Sequence, residues 1–236
     1  MILNSRGGVF SHHLNKWFLR DVFCTFQVTF AFHFTQHTMN TENLSVTQED
    51  DHGGGGQEEN GLTLASMRGN LAAVKSLILS GANIHKGNDE ALKWASKNGH
   101  LGVVNLLVFQ GADVHAGGDE ALRWASGEGH LGVVGLLVQS GADVHARGDE
   151  ALRWASRCGH LEVVKFLVSR GADVHAGGDG ALIWASMYDR LEVVKFLVSR
   201  GANTHARGDG ALILASGEGH LEVVKYLVSQ GADVHA

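Results

Sequence analysis

Proline is missing from the 236 residues, cysteine occurs only twice, and no basic excess offsets the acids. Each gap excludes something. Cys24 and Cys158 stand in unrelated contexts, form no disulfide framework or metal motif, and fit a reduced, intracellular environment. A net charge of -6 argues against a dominant basic surface for nucleic acid. The most apolar stretch is Phe10–Phe34, but Arg20 and Asp21 interrupt it. The uncharged run after them falls far short of the roughly 20 residues a membrane-spanning helix needs. That charged pair, with no small-residue cleavage site following cleanly, also speaks against a signal peptide. With proline absent, helix stops fall to the 32 glycines, most of which recur at fixed phases.

What the chain has in quantity is a 30-residue beat. Asp149–Gly178 is a representative copy, and the same frame opens at Asp89, Asp119, Asp179 and Asp209. A more divergent copy starts near Glu59, giving units at 59–88, 89–118, 119–148, 149–178, 179–208 and 209–236. A fixed period of this length marks a stacked repeat array. Residues 1–59 do not share it. There, Thr25–Phe34 alternates loosely enough for a strand. Thr38–Asn60, polar and acidic around Gly53–Gly56, reads as a flexible linker. His12, His13, His33 and His37 lack Cys or acids at ligand spacing and are read as ordinary polar positions.

Each unit carries two short helical patterns. Asp149 is expected to N-cap the first, with Glu150 adding negative charge at the positive end of its dipole. That helix runs about Glu150–Cys158, presents the small or apolar Ala151, Leu152, Ala155 and Ser156, and ends at Gly159. His160 is placed to bond back to the turn. The second helix buries a stripe of Leu161, Val164, Leu167 and Val168, and Gly171 closes it. Two helices this short cannot enclose a core, so stability must come from neighbouring units. The expected fold is an all-α repeat solenoid of stacked helix-turn-helix units.

The frame A-L-x-W-A-S-x-x-G-H-L-E-V-V-x-x-L-V-x-x-G-A-D-V-H-A resembles the ankyrin repeat, in phase over about three quarters of the chain. It departs in two ways: Ala151-Leu152 stands where the family has Pro-Leu, and the connecting loop is three residues shorter than in the family's 33-residue unit. The short units, with D-x-A-L-x-x-A-S and G-A-D-V-H-A, look like ankyrin proteins of giant DNA viruses of amoebae. That likeness implies an intracellular protein, in the cytoplasm of an infected host cell if viral. In the resembled family, loop fingers and inner helices line the partner surface. Here the loop is trimmed to pieces such as Ala116-Gly117-Gly118, so the first-helix face should carry more of any recognition.

Position by position, the tempting ladders read as structural. Trp94, Trp124, Trp154 and Trp184 share a phase held by Leu64 and Leu214 in the end copies, and are expected to fill the seams between units. His85, His115, His145, His175, His205 and His235 recur once per unit, so neighbours stand about 10 Å apart, too far to share a metal. His100, His130, His160 and His220 are turn residues. The variable positions carry the candidate partner-binding residues. Arg123 and Arg153 lie where the first-helix face is basic, and Ile183, Met187, Tyr188 and Ile213 where it becomes apolar. Asp189-Arg190 replaces Gly-His in the fifth unit, which marks that joint as the least stable. Leu79 and Phe109 are apolar on a phase that is otherwise polar, so something is expected to cover them, the aromatic N-terminal segment being the candidate.

No catalytic constellation, phosphate loop or cofactor motif appears, and the regularity of the units argues against an active site. The resemblance implies a monomeric, non-enzymatic protein-interaction scaffold that binds a partner along the concave inner-helix face. The alternative is a structural or redundant paralogue of an expanded viral family. An activity confined to residues 1–59 is a third reading, which their length and composition disfavour.

Overall fold

The computed structural model describes residues 58–235. Glu58–Asn60, expected to end the linker, instead open a helix, while the strand at Thr25–Phe34, the four histidines and the linker up to residue 57 lie outside the described residues. Within them there are twelve helices and no strand. The first helices of successive units are α1 (Glu58–Met67), α3 (Lys86–Lys97), α5 (Ala116–Gly127), α7 (Ala146–Cys158), α9 (Ala176–Met187) and α11 (Ala206–Gly217). The second helices are α2 (Leu71–Leu79), α4 (Leu101–Phe109), α6 (Leu131–Gln139), α8 (Leu161–Ser169), α10 (Leu191–Ser199) and α12 (Leu221–Ser229). Each first helix packs on the next first helix, and each second helix on the next second helix. No described helix is long and apolar enough to cross a membrane.

The core is one continuous column. Each unit contributes a leucine from its first helix (Leu92, Leu122, Leu152, Leu182) and valines and a leucine from its second (Val163, Val164 and Leu167 in the fourth unit), all almost fully buried. Val163 joins the expected stripe, whereas Leu161 and Val168 are only half-buried. The small residues of the first helices let neighbours close up: Ala155 and Ser156 are wholly buried. Ser66, Ser96, Ser126, Ser156 and Ser186 bury hydroxyls that have no hydrogen-bond partner among the protein atoms. A buried hydroxyl without a partner is a cost, so what that position uses is the residue's small size.

Asp149 is not the helix N-cap expected of it. Arg147, Gly148 and Asp149 form a run of three left-handed residues, with φ of 53°, 68° and 56°, and this turns the Asp149 side chain back into the loops. Its Oδ1 accepts the backbone N–H of Asp173, one loop further on, at 2.8 Å, and lies 3.1 Å from Nδ1 of His145. Asp89, Asp119, Asp179 and Asp209 repeat the arrangement at 2.8–2.9 Å to the next loop. The shortened loop is therefore a left-handed turn tied to its neighbour by a buried carboxyl. The histidine ladder from His85 to His205 belongs to these ties.

The turn histidines also act between units. Nε2 of His160 donates to the carbonyl oxygen of Gly127, 33 residues back, at 2.9 Å, and His100, His130 and His220 make the same bond. The expected bond within its own turn is thus replaced by one to the unit before. Gly129 shows why this turn needs glycine: its φ is 80°, and a Cβ there would stand 2.5 Å from the His160 ring. In the fifth unit Arg190 takes over, donating from Nε to Arg157 O at 3.1 Å, while Asp189 is held at φ 58°.

Leu79 and Phe109 are 88% and 84% exposed among the described residues.

Two substitutions test the joints. Asp149→Ala strips the Asp173 N–H of its acceptor and should cost about 1–3 kcal/mol, read from the urea midpoint, while Asp149→Asn keeps an acceptor and should lose less. Equal losses would mean that the bond to the next loop contributes nothing. Asp189→Gly relieves a left-handed backbone and should raise stability by about 0.5–1 kcal/mol. A lowered midpoint would show instead that the aspartate is a stabilising feature of that joint.

Candidate functional site

The first helices place one side chain per unit, in register, along a shared face. Four of these are tryptophans, which pack between neighbouring units at the margin of the seams. Trp94, Trp124, Trp154 and Trp184 are all half-buried, keeping part of each ring accessible. They pair edge to face: Trp94 with Trp124 at 5.5 Å between ring centroids, Trp154 with Trp184 at 6.1 Å. The reason is helical phase. Leu152 and Ala155 take the buried side of α7, which leaves Trp154, between them, at its margin.

A cation lies over each pair. Lys97 Nζ sits 5.1 Å from the Trp94 ring and 5.3 Å from Trp124. Arg157 lies 5.1 Å from Trp154, 5.7 Å from Trp184 and 4.7 Å from Tyr188, and donates to the Tyr188 hydroxyl at 3.0 Å. Between the clusters stands Gly127, where even a Cβ would come within 3.6 Å of Trp154. Edge-to-face pairs contribute about 0.5–1.5 kcal/mol beyond their area, and cation–π contacts about 0.5–2 kcal/mol, the upper end applying to a buried cation such as Arg157. The rings are therefore held in place before any partner arrives. The sequence signal for this was Trp followed three residues later by a cation, as in Trp94–Lys97 and Trp154–Arg157.

The residues singled out from the sequence divide. Tyr188 joins the second aromatic cluster, and Met187 beside it is half-buried. Ile213 is 49% exposed, but Ile183, at the same phase one unit earlier, is only 7% exposed. Ile183 is covered because Gly210 on the next helix leaves room for it, its Cδ1 lying 3.7 Å from where a Cβ would stand. It is a packing residue, not part of an exposed patch. Arg123 is occupied too, bridging Glu120 at 2.6 Å and Glu150 at 3.1 Å, while Lys93 reaches Glu120 at 3.2 Å. Arg153 donates to the Arg147 carbonyl at 3.0 Å.

These contacts account for the change from basic to apolar along the face. Glu90, Glu120 and Glu150 accompany Lys93, Arg123 and Arg153, while Gly180 and Gly210 accompany Ile183 and Ile213. Acid and base leave together, so the gradient reflects packing between the units themselves. No cluster of three metal-ligating side chains occurs among the described residues.

The comparisons agree with the repeat frame. The family described as ankyrin repeats (3 copies) matches residues 35–117, 115–177 and 175–236. Among solved structures the chain is similar to the human ASB11 ankyrin repeat domain, with 26% identity and a TM-score of 0.68. That likeness covers 74% of this chain and 85% of the other. No curated protein matches it. A beat of paired helices, the inter-unit ties and a family match running through the array lead to one conclusion: the chain belongs to the ankyrin repeat family, whose repeats are generally protein–protein interaction modules.

Proposed function

We propose that this array is a non-enzymatic scaffold that binds a protein partner across the first-helix face, centred on the tryptophan ladder. One observation carries the reading. Four partly accessible tryptophans stand in register on α3, α5, α7 and α9, pre-positioned by Lys97, Arg157 and Tyr188. Trp, Tyr and Arg are the residues in which binding energy concentrates at protein interfaces. Holding them rigid beforehand lowers the ordering cost of association. On the second helices Glu162–Lys165, Glu192–Lys195 and Glu222–Lys225 pair as solvated charges, and the exposed Leu79 and Phe109 stand singly at the ends of α2 and α4 rather than as a braced ladder. The giant-virus wording of the repeats supports a place in the cytoplasm of an infected cell; immunolocalisation outside host cells would end that part of the reading.

The test is affinity capture from the source cell with three versions of the chain. The intact chain and a Lys165→Ala, Lys195→Ala control on the opposite side should retain the same partner. A Trp124→Ala, Trp154→Ala variant, its folding checked by circular dichroism, should weaken capture by about 700-fold, as two central anchors of about 2 kcal/mol each imply. Loss with the control variant alone would place the binding surface on the second helices.

A further inference from the structure

The cation–acid ties of the first helices run from one unit to the next, so the last cation of the series has no acid ahead of it. Around Gly117–Gly118 the set is complete. Arg147 donates from Nη2 to the Gly117 carbonyl oxygen at 2.8 Å, and Lys93 pairs with Glu120 at 3.2 Å. Glu120 Oε2 lies 2.9 Å from where a Cβ on Gly117 would stand. Two units on, the same positions surround Gly177–Gly178. Arg207 donates from Nη2 to the Gly177 carbonyl oxygen at 2.6 Å, and Arg153 Nη1 lies 3.7 Å from where a Cβ on Gly177 would stand. Only the acid differs, because Gly180 stands in the place of Glu120. Arg153 donates from Nη2 to the Arg147 carbonyl oxygen, and its Nε is buried without a hydrogen-bond partner. Among the described residues neither Arg153 nor Arg207 pairs with a carboxylate. Gly210 brings no acid either, but there the facing residue is Ile183, which has no charge to match.

Resting on the proposed first-helix reading, we infer that Arg153 and Arg207 bind one carboxylate side chain of the partner, beside Gly177. The array itself supplies the template for the ligand: at the same place two units earlier, a glutamate carboxylate meets Lys93. A guanidinium presents paired N–H donors that match the two oxygens of a carboxylate. A half-buried guanidinium served by one neutral carbonyl has donors left to give, and an anion there offsets part of the cost of burying its charge. The approach is from solvent, since Gly177, Gly178 and Arg207 are exposed and Arg153 is half-buried. The acids at the adjoining helix starts are committed elsewhere. Asp179 is buried and bonded to His175 and to the backbone of Asn203, and Glu150 is bonded to Arg123 and Trp154. Arg153 directly precedes Trp154, which sets the carboxylate at the edge of the ladder.

The experiment uses a displayed library of random short peptides, selected on the full chain, with enriched peptides measured by fluorescence anisotropy. Enriched peptides should share an aspartate or glutamate whose change to Asn or Gln weakens binding about tenfold, the worth of a charge-assisted hydrogen bond. Arg153→Gln should cost the acidic peptide about the same and the neutralised peptide little, since the two changes remove one contact. Gly180→Glu places a carboxylate on the array itself, where its Cβ meets only the flexible Arg153 side chain, 3.0 Å from Cδ. It should weaken the acidic peptide about tenfold by occupying Arg153 from within. Peptides without a shared acid, losses at Arg153 that add to those of the peptide change, or a Gly180→Glu chain that binds as well as the original would overturn the inference. If the Trp124→Ala, Trp154→Ala variant still lost the peptides in those cases, the first-helix reading itself would stand. Peptides indifferent to both the ladder and Arg153, or no enrichment at all, would overturn both.

Discussion

A unit of two short helices cannot bury its own apolar faces, so it is stable only where units meet, and one carboxyl per unit ties the loops at that meeting. Asp149 and its counterparts are buried, left-handed, and bonded both to a histidine in their own loop and to the backbone of the next. The shortened loop makes this possible. Three left-handed residues in succession turn the chain sharply enough to point the carboxyl sideways, and glycine at one or two of those positions limits the strain. From this tie follows the register of the first helices, and from that register the pairing of the tryptophans.

The surface follows the same logic. Whatever a first helix offers outward has already been fitted to the helix beside it: arginine to glutamate, isoleucine to glycine, cation to indole ring. Residues that look like free contact groups in one unit are often partners of the next. The half-buried tryptophans are different, since they are steadied by their neighbours and still keep part of each ring accessible. Rigidity and exposure together are what a binding surface needs.

Much of the fold was legible in the sequence because it rests on periodicity, and a 30-residue beat survives without any knowledge of contacts. Helix bounds near 150–158 and the buried Ala151, Leu152 and Ala155 could be read from spacing alone. The role of Asp149 could not. An aspartate before a helix looks the same whether it caps that helix or reaches to the next loop, and only the sign of φ separates the two. Ile183 and Ile213 both follow D-G-A-L, yet one is buried and the other exposed, because Ile183 packs against Gly210 of the next first helix. The pairing of the tryptophans was hidden for a related reason: a ring of that size can sit deep in a seam or at its margin, and a repeat pattern records the position without the side chain's direction.

Hydrogen–deuterium exchange with and without a captured partner tests the first-helix surface most directly. Slowed exchange should map to α3, α5, α7 and α9, strongest at the helix ends that carry Lys97, Arg157 and Tyr188, with the second helices unchanged. Slowing confined to α4, α6, α8 and α10 would contradict it.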